Sequence, residues 1–362
     1  MNPSLISESS SPVRQPEPRM VKSETHSPSN RSLSSRFLIV CGVPLMLFAG
    51  LRSPVGRYWS DWGCRVFAAS THPTYQHSEA SVRPYQELAD RLEPFAVRMP
   101  PARPGDWLSE HPELGQSFQR FIATRSAPIP PGKTIYVVPL GRFTPAQERL
   151  LEETREFIGL YFGMSVVCLD SQRELVVPAD ARRLRDHGRS VQWLAPHLMT
   201  DVLKPIIPSD AACVIGFTAT DLWAGPGSNY LFGLADPHLR VGVWSLARNG
   251  NCDAGEVEYR LCLRRTLKTA VHEIGHLFGI DHCIAHDCCM NGANGSKESD
   301  AQPLEYCPEC LSKLWWVCQC DPVERVFALW KYSEAVGLHA EAAVWREMLA
   351  QLSGTAWDSR LQ

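Results

Sequence analysis

Short apolar runs and amphipathic stretches follow one another between residues 134 and 246. Residues 134–140 form a β-branched run, residues 145–162 place apolar side chains at helical spacing, and residues 164–169 form a second apolar run. Such runs predict strands, and the stretch between them predicts a helix. Two strands joined through a helix form a β-α-β unit, so the pattern predicts a parallel pair. A helix is also predicted at 191–204, and buried strands at 211–217 and 239–246.

The helical pattern is longest over residues 257–278. Five apolar positions recur there every three or four residues, which gives a helix one apolar face: Leu263, Leu267, Val271, Ile274 and Leu277. Two more helical segments are predicted at 322–336 and 340–352.

Residues 1–131, which precede this region, differ from it in composition. Residues 1–36 are rich in serine and proline and predict a disordered tail, because they offer little surface to bury. Residues 37–51 are apolar but short for a membrane span, which needs about 20 residues, so they fit a targeting segment or a merely buried one. Proline-rich residues 52–131 predict an extension and linker before a domain at 132–352, and 353–362 predict a tail.

Composition and charge narrow the class of protein. The 362 residues are 44% hydrophobic and 21% charged, which is typical of a globular protein. The net charge of −3 provides no basic surplus, so nucleic acid is not expected as a partner. Seven of the thirteen cysteines fall between residues 283 and 320, and this clustering indicates metal binding sooner than a disulfide framework.

One segment of the long predicted helix carries metal-binding chemistry. His272 and His276 are four residues apart, so both imidazoles leave the same helix face and can bind one Zn²⁺. Glu273 lies beside them, where it can reach a metal-bound water without binding the metal. Gly279 allows a left-handed turn that brings His282 back as a third ligand. Three histidines leave a fourth position for water, as in a catalytic site.

The cysteines that follow predict a second metal site. Cys307 and Cys310 form a CxxC pair, and a second pair would complete a tetrahedral four-thiolate set, which is structural because no position stays open. Cys283 with Cys288 is the best second pair. Spacing also permits Cys289 in place of Cys288, or the pair Cys318 and Cys320.

Together these residues resemble the archaemetzincin family of zinc metallopeptidases. The resemblance is carried by His272-Glu273-x-x-His276-x-x-Gly279-x-x-His282-Cys283-x4-Cys288-x-Met290, followed by Cys307-x-x-Cys310. It extends to strand-like segments at 136–141, 213–223 and 241–248, and to GDWLSEHPELGQSF at 105–118. Cys289, Cys318 and Cys320 do not match family positions, so their role stays open.

The resemblance implies an α+β fold: a metzincin-like zincin catalytic domain with a mixed twisted sheet, an active-site helix bearing the histidine motif, and a C-terminal zinc-stabilised helical part. It implies two zinc ions per chain. His272, His276 and His282 would bind the catalytic one, and Cys283, Cys288, Cys307 and Cys310 the structural one. Met290 would be the Met-turn residue under the site.

The implied function is hydrolysis of peptide bonds through a zinc-bound water, with Glu273 as general base. The strand at 239–246 is expected at a sheet edge, where an extended peptide could pair with it. The alternative is a zinc-stabilised binding protein with weak or vestigial peptidase activity.

The expected partner is a peptide or protein substrate, and the chain is expected to be a monomer. Zinc thiolates favour a reducing compartment, so the prediction is cytoplasmic. The alternative is a membrane-anchored or organellar enzyme that uses residues 37–51.

Overall fold

The computed structural model describes residues 74–125, 127–185 and 188–353. The predictions for residues 1–36 and 37–51, and for nearly all of the tail at 353–362, lie outside these ranges. The described residues form a mixed α+β fold, as predicted. None of the helices in these ranges is both long enough and apolar enough to cross a membrane.

Ten α-helices and eight strands are labelled in chain order within the described residues. The helices are α1 (Glu79–Arg91), α2 (Trp107–Glu110), α3 (Phe118–Ala123), α4 (Pro145–Phe162), α5 (Ala195–His197), α6 (Glu256–Leu277), α7 (Ser296–Ala301), α8 (Pro308–Cys318), α9 (Pro322–Ala335) and α10 (His339–Ser353). The strands are β1 (Thr134–Leu140), β2 (Val166–Cys168), β3 (Arg182–Arg185), β4 (Ser190–Leu194), β5 (Ala211–Thr218), β6 (Asp221–Trp223), β7 (Gly233–Asp236) and β8 (Val241–Ser245).

The larger sheet has five strands in the order β2-β1-β5-β8-β7. The predicted β-α-β unit is confirmed, because β1 and β2 are parallel and α4 joins them. Strands β5 and β8 continue the parallel arrangement, and β7 pairs with β8 in the antiparallel direction.

The prediction that 239–246 is an edge strand is wrong, since β8 lies between β5 and β7. The edge strand next to β8 is β7, whose sequence Gly-Leu-Ala-Asp has no β-branched residue and therefore did not predict a strand.

A second sheet has three strands in the order β3-β4-β6. It corrects the predicted helix at 191–204, because residues up to Leu194 belong to β4 and helical turns begin only at Ala195. The physical reason is local. Val191 and Trp193 favour a strand, whereas Pro196 fits the first turn of a helix. The helical turns continue over 198–206.

The central strands β1, β5 and β8 of the larger sheet are buried on both faces, as expected for parallel strands. Alternate residues of β1 point to opposite sides: Ile135 and Val137 join one apolar cluster, and Val138 and Leu140 join the other. The first cluster contains the long helix α6 together with the C-terminal helices, so the sheet supports α6 directly.

A buried ion pair ties the C-terminal helices α9 and α10 to α4. Arg325 on α9 donates to both carboxylate oxygens of Glu305 at 2.9 Å. Tyr161 and Trp345, on α4 and α10, donate to the same carboxylate at 2.6 and 2.7 Å. Glu305 lies just before the CxxC pair at 307–310, so this network fixes the start of α8.

Candidate metal centre

The helix α6 delivers two of the histidines to the floor of a cleft. All five apolar positions predicted for its core face are buried. The opposite side of the helix therefore presents His272 and His276 one turn apart. The helix ends at Leu277, and Gly279 adopts the left-handed conformation with φ of +76°, as its place in the motif predicted. The chain then turns back and brings His282 to the same place.

The three imidazoles converge. Their ring centroids lie 4.6 to 5.2 Å apart, and one ring nitrogen from each falls within 4.8 Å of the other two. His272 Nδ1 donates to the carbonyl of Cys289 at 2.7 Å, and His276 Nδ1 donates to that of Ile280 at 2.8 Å. These bonds leave the two Nε2 lone pairs facing each other at 3.0 Å. The donor set and tautomers fit a zinc ion.

The electrostatics keep the helix histidines neutral. Burial, followed by the charge of His282, lowers the pKa of His272 to about 3. Burial and both neighbouring imidazoles also hold the pKa of His276 well below its usual value. A neutral imidazole is the form that binds a metal, so these rings are ready ligands at neutral pH.

Glu273 lies between the helix and the edge strand β7. Its side chain is only 8% exposed, and burial raises its pKa to about 8. Gly233 of β7 packs directly against it: a Cβ added at that position would lie 2.6 Å from Glu273 Oε1. Because Glu273 also lines the cleft, its carboxyl is placed to exchange a proton with a water there.

The cleft has a volume of about 810 Å³. Residues 229–235, which include the start of β7, line one side, and the three histidines and Glu273 line the floor. Trp107, Glu113 and Leu114 line it as well. The cleft is therefore built from β7, α6 and a segment that precedes the predicted catalytic domain.

Four cysteines form a separate buried group next to this cleft. The structure brings together Cys283, Cys288, Cys307 and Cys310, whose sulfurs lie within 4.8 Å of one another. The backbone N–H groups of Met290 and Cys307 donate to Cys288 Sγ at 3.4 and 3.1 Å. Lys313 Nζ lies 3.8 Å from Cys310 Sγ. Donors of this kind favour thiolates, so the group fits a zinc ion.

The alternative cysteines lie elsewhere. Cys289 is buried, with its sulfur 3.6 Å from the carbonyl oxygen of Lys268. Cys318 ends α8, and Cys320 packs against Gly163 after α4. Among the described residues, the structure therefore groups Cys288, and not Cys289, Cys318 or Cys320, with Cys283.

Met290 lies under α6. A Cβ added at Gly275, between the two helix histidines, would come within 2.6 Å of Met290 Sδ. The Met290 carbonyl also accepts a hydrogen bond from the N–H of Cys283 at 2.8 Å. Met290 thus contacts both the helix that carries His272 and His276 and the loop that carries Cys283.

Two residues of the site were missed from sequence. Glu113 accepts a hydrogen bond from His282 Nδ1 at 2.8 Å. Gly233 has no side chain, and this leaves room for the Glu273 carboxyl. Glu113 lies inside the segment GDWLSEHPELGQSF, which signalled only a resemblance. Burial raises the pKa of Glu113, but the hydrogen bond and charge of His282 outweigh it and leave that pKa below its usual value.

The chain is similar to known proteins. The model of Peptidase family M54 matches residues 210–315, which include all seven histidines and cysteines of the two groups. The chain is 31% identical to Archaemetzincin-2 of Mus musculus over 287 residues, or 68% of this chain and 76% of the mouse protein.

Shorter archaeal proteins match as well. Archaemetzincin of Pyrococcus furiosus is 35% identical over 184 residues, or 50% of this chain and 91% of that protein. The crystal structure of archaemetzincin from Methanopyrus kandleri is 28% identical and covers 53% of this chain and 99% of that chain, with a TM-score of 0.43.

A cleft with three converging imidazoles and an adjacent buried carboxyl is what a zinc metallopeptidase requires. On its similarity to the mouse protein, the chain belongs to the archaemetzincin family. The predicted family and enzyme class are confirmed: the protein is a zinc metallopeptidase, and peptides are its substrates.

Proposed function

We propose that His272, His276 and His282 hold a catalytic zinc and that Glu273 is the general base of peptide hydrolysis. The observation that carries this proposal is the convergence of three imidazoles on one point of the cleft with the Glu273 carboxyl beside them. A purely structural site would use a closed four-ligand set, whereas three protein ligands leave a position for water.

Zinc bound by these residues would lower the pKa of a water molecule and polarise the scissile carbonyl. The Glu273 carboxylate then takes the proton of the attacking water and passes a proton to the leaving amine. Its burial keeps bulk water away from this transfer. Proton transfer by a positioned side chain of this kind contributes about 10² to 10⁴ in rate.

The edge strand β7 is suited to hold the substrate. One side of β7 pairs with β8, and its residues also line the cleft. An extended peptide can add to such an edge through main-chain hydrogen bonds, with side chains alternating between the cleft and solvent. Gly233 would bring the peptide bond close to Glu273, because the strand lies against that carboxyl. We therefore also propose that the peptidase domain has a metzincin-like zincin arrangement.

We propose further that the four-cysteine group holds a second, structural zinc. Its burial and the adjacent N–H and ammonium donors support four thiolates around one ion. The first cysteine of the group, Cys283, directly follows His282, so the ion would fix the position of the loop that carries His282. Structural zinc contributes directly to folding free energy, and its loss would destabilise the chain.

The domain division is also a proposal. Residues 132–352 would form the peptidase domain, and residues 52–131 an extension whose described part packs on α8 through α1 and α3. The monomeric state and the reducing compartment remain predictions, and protease protection of a C-terminal tag in sealed membranes tests the latter.

Metal content and activity test the two zinc roles together. Wild-type protein should contain two zinc ions per chain. His282→Ala should lose one and stay folded, whereas Cys307→Ser should lose the other together with stability. Cys289→Ser is the matched control, because this neighbouring cysteine is buried outside the group and should leave both ions bound. One zinc per chain in the wild type would refute the two-site proposal.

Glu273→Gln tests the base. We expect two zinc ions but hydrolysis slower by at least about 10². Glu258→Gln, an exposed position on the same helix, should retain full activity. A fully active Glu273→Gln variant would exclude Glu273 as the base. Wild-type protein with both ions and no hydrolysis would instead favour the alternative of a zinc-stabilised binding protein.

A further inference from the structure

A segment before the peptidase domain crosses the loop that carries His282. We call residues 97–118 the strap and residues 278–292 the metal loop. Their backbones pair: Met99 N donates to Ala285 O at 3.0 Å, and Asp287 N donates to Val97 O at 2.8 Å. These bonds fall between Cys283 and Cys288, so the strap is joined to the middle of the metal loop.

The strap also holds the turn that returns the chain to the site. The Gln116 side chain accepts from Asp281 N at 3.2 Å and donates to Gly279 O at 3.0 Å. Lys313 on α8 donates to the Gln116 carbonyl and so anchors this part of the strap from the other side. The backbone on which His282 sits is thereby fixed by residues more than 160 positions earlier in the chain.

The strap contacts the His282 ring through Glu113. One oxygen, Oε1, accepts from both His282 Nδ1 and Trp107 Nε1 at 2.8 Å. The other, Oε2, is buried and has no partner in the part of the chain that the structure describes. The Trp107 indole meets the His282 ring edge to face, with centroids 5.4 Å apart. It occupies the space that a side chain at Gly292 would fill.

This contact distinguishes His282 from the other two histidines. His272 and His276 are held by a helix, and their Nδ1 atoms donate to backbone carbonyls. His282 lies on a loop, so no helix orients its ring, and its Nδ1 partner is a carboxylate from a distant segment. A carboxylate bonded to Nδ1 fixes the tautomer, holds the ring plane and makes Nε2 a stronger donor to a metal.

We propose that Glu113 is a positioning residue that completes the three-histidine site from outside the peptidase domain. The proposal rests on the proposed role of His282 as a zinc ligand. It means that the strap does more than cover the cleft: it supplies the partner that makes His282 a strong ligand. Removal of such a partner typically weakens metal binding by about 10- to 100-fold.

The test measures metal affinity and does not depend on activity. Full-length protein is treated briefly with a chelator to remove the more accessible ion, and Zn²⁺ is then titrated back against a chromophoric competitor. We expect Glu113→Ala to raise the Kd by about 10- to 100-fold. Glu113→Gln should give an intermediate value, because its amide oxygen can still accept the Nδ1 proton but carries no charge.

Glu110→Ala is the matched control. Glu110 lies three residues earlier on the strap, and its carboxylate accepts from Asn294 and not from a histidine. Its removal should leave the Kd within about twofold of wild type. Co²⁺ in place of Zn²⁺ gives a second readout: the visible absorption of the three-histidine site should change in Glu113→Ala and stay unchanged in Glu110→Ala. A purely structural role would change the melting temperature but not this spectrum.

The outcomes separate this proposal from the proposed function. Wild-type affinity and an unchanged Co²⁺ spectrum in Glu113→Ala would overturn the positioning role and leave the three-histidine site intact. Equal weakening by Glu113→Ala and Glu110→Ala would also overturn it. Should Glu113→Ala fail to fold, the isosteric Glu113→Gln decides in the same way. Wild-type protein that takes up no metal at the histidines would refute the proposed function itself.

Discussion

A single methyl group on the edge strand should separate catalysis from metal binding. A Cβ added by Gly233→Ala would lie 2.6 Å from Glu273 Oε1, against 3.4 Å for ordinary contact, so the two atoms must move apart by about 0.8 Å. The backbone of Gly233 is not in the left-handed region, and alanine can adopt it. Glu273 Cδ and Cγ would also lie only 2.7 Å from the added Cβ, and the Glu273 side chain is more flexible than a paired strand, so the side chain from Cγ to the carboxyl should move.

The magnitude follows from this displacement. Misplacement of a reacting group by about 1 Å can cost about 10²-fold in rate, so we expect kcat for a fluorogenic peptide to fall by about that factor. The free energy of unfolding should fall by about 1–3 kcal/mol, because the added methyl group overpacks a buried position, although replacing glycine by alanine in a strand offsets part of this cost. Zinc content should stay at the wild-type value, since the three atoms nearest the added Cβ all belong to Glu273 and none to a histidine.

Two controls make the experiment decisive. Gly295→Ala adds a methyl group near the same cleft, but its closest neighbour, Tyr230 Oη, lies at an ordinary 3.5 Å, so activity should be retained. Glu273→Asp shortens the side chain and makes room at Gly233, so the added methyl group should cost much less in that background. Full activity of Gly233→Ala would refute the proposed role of Glu273 as general base, and loss of zinc would show that the change acts through the fold.

Two further predictions concern stability. Burial raises the pKa of Glu305, but the charge and hydrogen bonds of Arg325 outweigh it and hold that pKa below the ordinary value of about 4.5. The contribution of ionised Glu305 to the free energy of unfolding is therefore complete above about pH 4.5, and it is lost as the pH falls through the lower pKa of the folded state. Glu305→Gln leaves Arg325 unpaired and should cost about 3–5 kcal/mol at pH 7 in urea denaturation, with a smaller difference in acid; an unchanged acid profile would contradict this. The methyl group added by Gly275→Ala would lie too close to Met290 Sδ and Tyr306 Oη. We expect thermal unfolding to show about 1–3 kcal/mol of destabilisation, although alanine has the better helix propensity. A rise in melting temperature would contradict this prediction.

The sequence alone determined the features that depend on local geometry. The helix repeat places His272 and His276 on one face, and the same repeat places the apolar positions of α6 in the core. Gly279 could be assigned its left-handed turn because glycine adopts it at little cost. In each case the residues are close in the chain, so spacing and backbone preference suffice.

The tertiary structure decided the relations between distant segments. Cys288 and Cys289 are neighbours in sequence, and spacing allows either as a partner of Cys283 although it favours Cys288. The path of the metal loop puts the Cys288 sulfur in the four-cysteine group and the Cys289 sulfur against α6. The edge position of β7 depends on which strands pair, and its short sequence gave no signal of this. Glu113 and His282 are 169 residues apart, and their contact exists because the strap packs on the metal loop. Long-range packing of this kind is set by the sum of many weak contacts, which no local pattern of residues encodes.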